Sequence, residues 1–219
     1  MENRTITVKG IGTASAKPDL INITMNIISK DKEYVKAVSN ANKRIELLQN
    51  AVQSAGFAKE DLKTLSFNVR TLYRNEQSLK GAWKSVFDGY ECRYTLKLSM
   101  DMDSKRLAET LTGISNSNAD AEFNIEFTVK NPEEIGEAVL RSATENAARK
   151  AKILCEASGK TLGELISIDY DWTDVHYASA SVYSMKEMAR GVAMENGVPE
   201  FEPEDIRSSD SVTFVWAIN

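Results

Sequence analysis

Three observations predict an α+β fold, made of mainly antiparallel sheets covered by helices, in the order β-β-α-β-β-α-β-α-β-β. Seven segments alternate apolar and polar residues with period two, the pattern of antiparallel strands covered on one face only. Three segments repeat apolar residues every three or four positions, as a helix with one buried face does. Glycine, proline, asparagine and aspartate punctuate the junctions. The expected organisation is one domain over residues 1–219, with two abutting lobes at about 1–101 and about 102–219.

The first strand is read from Ile6 and Val8 alternating with Thr5, Thr7 and Lys9. Gly10-Ile11-Gly12 then predicts a bulge or hairpin bend, and Lys17-Pro18-Asp19 leads into a second strand carrying Ile21, Ile23, Met25 and Ile27. A helix follows on Tyr34, Val38, Ala41, Ile45, Leu48, Val52 and Ala55, with Gly56 as its C′ stop. Leu65, Phe67, Val69 and Tyr73 mark the third strand, and a loop over residues 74–85 separates it from the fourth, Tyr90, Cys92, Tyr94, Leu96, Leu98 and Met100. Asp103 or Ser104 caps a short second helix containing Leu107 and Leu111, with Gly113 near its end. The fifth strand carries Phe123, Ile125, Phe127 and Val129.

Asn131 as N-cap, Pro132 at N1 and Glu134 at N3 open the third helix. Its inner stripe, Leu140, Ala143, Ala147, Ala151 and Leu154, is rich in alanine, so the helix can lie close to whatever it covers. Gly159 ends it. A sixth strand, Ile166, Ile168, Tyr170 and Trp172, is followed by a loop over residues 173–209 and a last strand, Val212, Phe214, Trp216 and Ile218. A structureless loop of that length inside a domain is uncommon and usually marks function or disorder.

The chain carries 27 Lys and Arg against 32 Asp and Glu, a formal net charge of −5. That balance argues against a phosphate-backbone partner, and the nearest basic group, Arg149, Lys150 and Lys152, suits the C-terminal half of a helix dipole instead. No apolar run approaches a membrane span. The first residues, Met1-Glu2-Asn3-Arg4-Thr5, lead directly into a strand without the apolar core of a signal peptide. The expected compartment is therefore the cytoplasm, or the periplasm if the chain is a mature form. Cys92 and Cys155 are expected as reduced, packed thiols.

Chemical motifs are incomplete. Gly159-Lys160-Thr161 resembles the tail of a phosphate-binding loop, but the glycine follows a helix instead of preceding one, and position 154 is Leu154 where that loop needs glycine. Gly10 and Gly12 lack the third glycine of a dinucleotide fingerprint, since position 15 is Ser15. Asp169, Asp171 and Asp174 lack the glycine and glutamate of a calcium loop. His176 is the only histidine, so no histidine cluster can form within one chain. No catalytic, cofactor-binding or metal-ligating residue is assigned, and an enzyme working through carboxylates alone is the remaining catalytic alternative.

The long loop carries Tyr183, Met185, Met188 and Val192, apolar residues in a polar stretch. They suit either a short helix docked back on its own domain or a partner-facing segment, because methionine surfaces repack around varied partners. Trp83 and Phe87, beside a long hairpin, suit an arm that pairs with another subunit. These six residues are the expected interface.

The chain resembles the SIMPL family. The resemblance rests on Val8-Lys9-Gly10-Ile11-Gly12 with Lys17-Pro18-Asp19, on the first helix ending in Gly56, and on Ala147-Ala148-Arg149-Lys150-Ala151 leading to Gly159-Lys160-Thr161-Leu162-Gly163. Met188-Ala189-Arg190, Pro203-Glu204-Asp205-Ile206 and Val212-Thr213-Phe214 complete it. It implies an α+β fold, no established enzyme activity, a tendency to self-associate, and roles in stress tolerance or partner binding. It also implies a bacterial export signal, which this chain does not show, and a glycine where Glu204 stands. The expected function is a non-enzymatic, self-associating interaction protein, a homo-oligomer with an unknown protein partner and no nucleic acid. The alternative is a binder of a small molecule or peptide in a cleft between lobes.

Overall fold

A computed structural model describes residues 4–77, 83–171, 175–181, 183–184 and 201–219. The strands are β1 (Thr5–Ala16), β2 (Leu20–Asp31), β3 (Lys63–Gln77), β4 (Trp83–Asp101), β5 (Glu122–Thr128), β6 (Leu162–Asp169), β7 (Tyr183–Ser184) and β8 (Ile206–Ile218). The helices are α1 (Tyr34–Ser54), α2 (Ser104–Asn116) and α3 (Pro132–Ala157). The α+β class and the strand–helix order agree with the sequence reading. The two-residue β7 is an addition, lying inside what reads as a loop, and it pairs antiparallel with Asn124 and Ile125 of β5. A single 3₁₀ turn, Lys59–Asp61, precedes β3.

The chain forms two interleaved units. The first comprises Met1–Asp19, Thr128–Ala180 and Pro203–Asn219; the second comprises Leu20–Phe127 and Ser181–Glu202.

In the first unit, β1, β8 and β6 form an antiparallel sheet in that order, with α3 on one face. Val8, Val212, Phe214 and Trp216 meet Ala143, Ala147 and Ala151 in its core. The alanine stripe has the predicted consequence of close approach, and Gly10 and Gly12 share in it. They form no bulge or bend: both pair in regular register, with Val212 and Asp210 of β8. The reason for glycine is α3. A Cβ on Gly10 would lie 2.1 Å from the Ala143 carbonyl oxygen, and one on Gly12 would lie 1.9 Å from that of Val139. The helix also guards the outer strand. The Ile11 N–H donates to Asn146 Oδ1 at 3.1 Å, the Thr13 N–H to Ser142 Oγ at 3.2 Å, and Lys150 Nζ to the Lys9 carbonyl at 3.2 Å.

In the second unit the sheet order is β3-β4-β2-β5-β7, and α1 packs on one face of β2 and β4. Ile21, Ile23, Met25 and Ile27 of β2 are fully buried with Leu96, Leu98 and Cys92 of β4 against Ala37, Ala41, Leu48 and Val52 of α1. Asp103 caps α2, accepting from the Arg106 N–H at 2.9 Å. Asn131 occupies the N-cap of α3 without capping the backbone; its Nδ2 donates to Glu134 Oε1 at 2.7 Å. Gly56 and Gly159 close α1 and α3 with φ of +82° and +71°, a left-handed turn that glycine adopts without strain. The resemblance of Gly159-Lys160-Thr161 to a phosphate loop therefore ends at the carbonyl end of a helix, where an anion is repelled.

Candidate interaction surface

The predicted loop over residues 74–85 is mostly strand. β3 runs to Gln77 and β4 begins at Trp83, so the two form a long hairpin paired as far as Gln77–Trp83. Polar residues there hid the strand, because a hairpin that outruns its core buries neither face. β3 is the outer strand of its sheet, and only Val69 and Leu72 in it are even half-buried.

This outer region exposes apolar side chains. Leu65 is 57% exposed, Phe67 49%, Tyr73 63%, Phe87 46% and Trp83 70%. The register of β3 slips between Thr64 and Ser66, which leaves Leu65 without a cross-strand partner. Aromatic rings link the surface to the core: Tyr73 to Phe87, Phe87 to Tyr90 and Tyr90 to Tyr34, with centroids 6.1, 5.3 and 5.7 Å apart. Phe67 lies 4.6 Å from Tyr94, whose hydroxyl donates to Asn42 Oδ1 of α1. Burial raises the Tyr94 phenol above its ordinary value.

Of the six expected interface residues, the structure brings Trp83 and Phe87 onto this exposed hairpin. Tyr183 is in β7, on the opposite side of the sheet order from β3. Met185, Met188 and Val192 lie outside the described residues.

The sheet face turned away from α1 has a different chemistry. Glu91 of β4 is 3% exposed and pairs in register with Lys30 on β2 and Arg70 on β3. Its carboxylate lies 2.8 Å from Arg70 Nη2, 3.3 Å from Lys30 Nζ and 3.4 Å from Arg93 Nη2. Burial works against the charge, but the hydrogen bond from Lys30 and the charges of Arg70 and Lys30 outweigh it and hold the carboxyl below its ordinary value. Arg93, Lys97 and Lys63 continue along the same face. Sequence reading missed this group because its members come from three strands; cations at alternate positions of β3 and β4 were the available signal.

The first unit contains a cavity of about 270 Å³ lined by Glu133, Gly136, Tyr170, Tyr177 and Asp210 among others. The Tyr170 hydroxyl bonds Asp210 Oδ2 at 3.1 Å, and burial followed by that carboxylate raises its phenol above the ordinary value. Among the described residues, no His, Cys, Asp and Glu side chains cluster as a metal site, and no helix is long and apolar enough to cross a membrane. His176 is exposed.

The family model SIMPL, described as a protein of unknown function (DUF541), matches residues 6–216, and the chain belongs to that family. It is 25% identical over 166 residues to the 26 kDa periplasmic immunogenic protein of Brucella melitensis biotype 1, covering 74% of this chain and 65% of that protein. The chain thus spans just under two thirds of the length of that relative. It is 22% identical over 214 residues to the uncharacterized protein YggE of Edwardsiella ictaluri, covering 98% of this chain and 87% of the relative. For YggE of Escherichia coli strain K12 the identity is 21% over 213 residues, covering 97% and 82%.

Proposed function

We propose that this chain is a non-enzymatic, self-associating interaction protein, and that the outer edge of the β3–β4 hairpin is its contact surface. The observation behind this reading is the apolar group Leu65, Phe67, Tyr73, Trp83 and Phe87, exposed beside a strand edge that is unpaired among the described residues. An exposed, long, apolar edge is a template for another chain. A second copy of the same chain is the occupant, because two such edges satisfy each other's backbone groups. Tyr183, Met185, Met188 and Val192 belong to the same proposal as a second contact segment. The periplasmic name of the Brucella relatives supports the periplasmic alternative over the cytoplasmic expectation, and a role in stress tolerance is part of the same proposal, resting on the family resemblance alone.

Native mass measurement at micromolar concentration tests the reading. The expected result is an oligomer that Trp83→Ser with Phe87→Ser shifts toward monomer while the fold is retained. A wild-type monomer at every concentration overturns it. A second reading, a small-molecule binder, is favoured by the 270 Å³ cavity with its two tyrosines and two carboxylates. A strict monomer whose melting temperature rises with a bound compound, and not in the Tyr170→Phe variant, would favour that reading.

A further inference from the structure

The sheet face of the second unit that α1 leaves uncovered carries five cations, three of them around the Glu91 carboxylate and two, Lys97 and Lys63, about 20 Å further along β4. Glu91 is flanked by Lys30 and Arg70, with Arg93 one step along β4. Two steps beyond Arg93 stands Lys97, and β3 places Lys63 directly opposite it. Like charges directly opposite on one sheet face repel and cost stability. Neither lysine is compensated, since neither has an ion pair or a hydrogen bond among the described residues. Between the two cationic ends lie Asn68, Thr95 and Ser66 and, among the described residues, no aromatic ring. Carboxylates occupy the ends of the face: Glu76 and Asp88 engage Arg74 toward the hairpin tip, Asp101 stands two steps beyond Lys97 on β4, and Glu126 on β5 accepts from Asn22.

We propose that this face binds the backbone of a linear phosphate polyanion. Residues two apart on β4 stand about 6.8 Å apart, so Arg93 and Lys97 are separated by about 14 Å along one track. A chain of regularly spaced anionic groups can meet Arg70, Arg93, Lys97 and Lys63 in turn. The lack of rings removes base stacking, so recognition is of charge and not of sequence. A folded acidic protein surface fits less well, because a stable protein interface has an apolar centre and this track has none. The chain's net charge of −5 does not oppose the contact, since charges more than about 8 Å away are screened at physiological salt. Net charge, and the lack of a basic cluster along the sequence beyond Arg149, Lys150 and Lys152, led to the expectation of no such partner; the sheet register assembles the local field that linear order conceals.

The test measures binding of two labelled probes, long-chain inorganic polyphosphate and a mixed-sequence single-stranded oligonucleotide, across a salt series. Wild-type protein is expected to bind at least one, with affinity falling steeply as salt rises. Lys63→Gln with Lys97→Gln is expected to weaken binding roughly tenfold and to reduce the salt slope by about two. Because the pair is repulsive, the same variant should melt at or above the wild-type temperature, so lost binding cannot be ascribed to unfolding. Binding of the oligonucleotide alone identifies nucleic acid as the source, and binding of both identifies phosphate regardless of base. The control, Arg141→Gln with Lys152→Gln on α3, removes equal charge and should bind as wild type does. No binding to either probe at low salt, equal loss in the control, or equally tight binding of polyglutamate overturns the proposal.

Discussion

Gly12 lies against Val139 so closely that a Cβ built on the glycine would be 1.9 Å from the Val139 carbonyl oxygen. The same Cβ would be 2.6 Å from the Ala143 backbone nitrogen. Since the obstacles are backbone atoms, α3 as a whole would have to lift from β1. Gly12→Ala is therefore expected to destabilise the first unit by about 3 kcal/mol or more, at the upper end for overpacking. Adding Ala143→Gly should not restore the loss, because it removes only a side chain. Urea denaturation reads both variants, and a near-neutral Gly12→Ala would show that the helix is not held where the packing places it.

That contact marks the boundary of what the sequence discloses. Strands covered by a helix were legible, because burial on one face writes period two into residues such as Ile21, Ile23, Met25 and Ile27. Helix ends were legible because Gly56, Asp103 and Gly159 answer local needs of the backbone. Gly10 and Gly12 misled because their partners, Ala143 and Ala147, lie about 130 residues away. Two small-residue stripes of matching size were the only clue that they meet. The outer half of the β3–β4 hairpin was illegible for the opposite reason, since Arg74, Asn75 and Glu76 face solvent and leave no alternation. The cationic face was hidden because strand register, absent from one-dimensional reading, aligns Lys30, Glu91 and Arg70.

Replacing Glu91 by glutamine tests the centre of that face. The carboxylate is nearly fully buried and is bonded by Arg70 Nε at 3.0 Å as well as by Nη2. Bonds to charged groups contribute more than neutral ones, but the cations are half-exposed, so a loss of about 1–2 kcal/mol is expected. The pH dependence has a definite sign. The folded carboxyl titrates below its ordinary value of 4.5, so its stabilisation is present above about that pH and disappears as pH falls through the lower folded value. Glu91→Gln should therefore flatten the acid limb of a stability–pH profile and leave its alkaline side unchanged. An acid limb of equal steepness in both proteins would remove the assignment.

Cys92 and Cys155 are free thiols, 0% and 3% exposed, each packed inside its own unit. Burial pushes the Cys92 thiol above its ordinary value, so little thiolate is present at neutral pH. A thiol reagent should modify neither cysteine quickly in the native protein and both in denaturant. Rapid native labelling of Cys92 would contradict the packing of β4 under α1.

Among the described residues the two sheets end on β1, β6, β3 and the two-residue β7, and β3 and β6 can be ranked by their suitability for another chain. β1 is already capped by Asn146, Ser142 and Lys150. β6 exposes Leu165, Ile166 and Ile168, 47–57% accessible, but it is eight residues long and its register with β8 slips twice. Irregular short strands make poor templates, because bulges twist the edge away from a partner. β3 also slips twice against β4, but it offers fifteen residues, an unbroken register from Ser66 to Leu72 between the slips, and the exposed Leu65 and Phe67. Lysine on an edge is the usual guard against pairing, so Leu65→Lys with Phe67→Lys should lower the native mass. The cost to the fold should be small, about 0.5–1.5 kcal/mol, because Leu65 sits at a register slip and Phe67 loses one aromatic contact. Ile166→Lys with Ile168→Lys should leave the mass unchanged. If the β6 variant dissociates the assembly and the β3 variant does not, the contact surface lies on the first unit and the hairpin assignment fails.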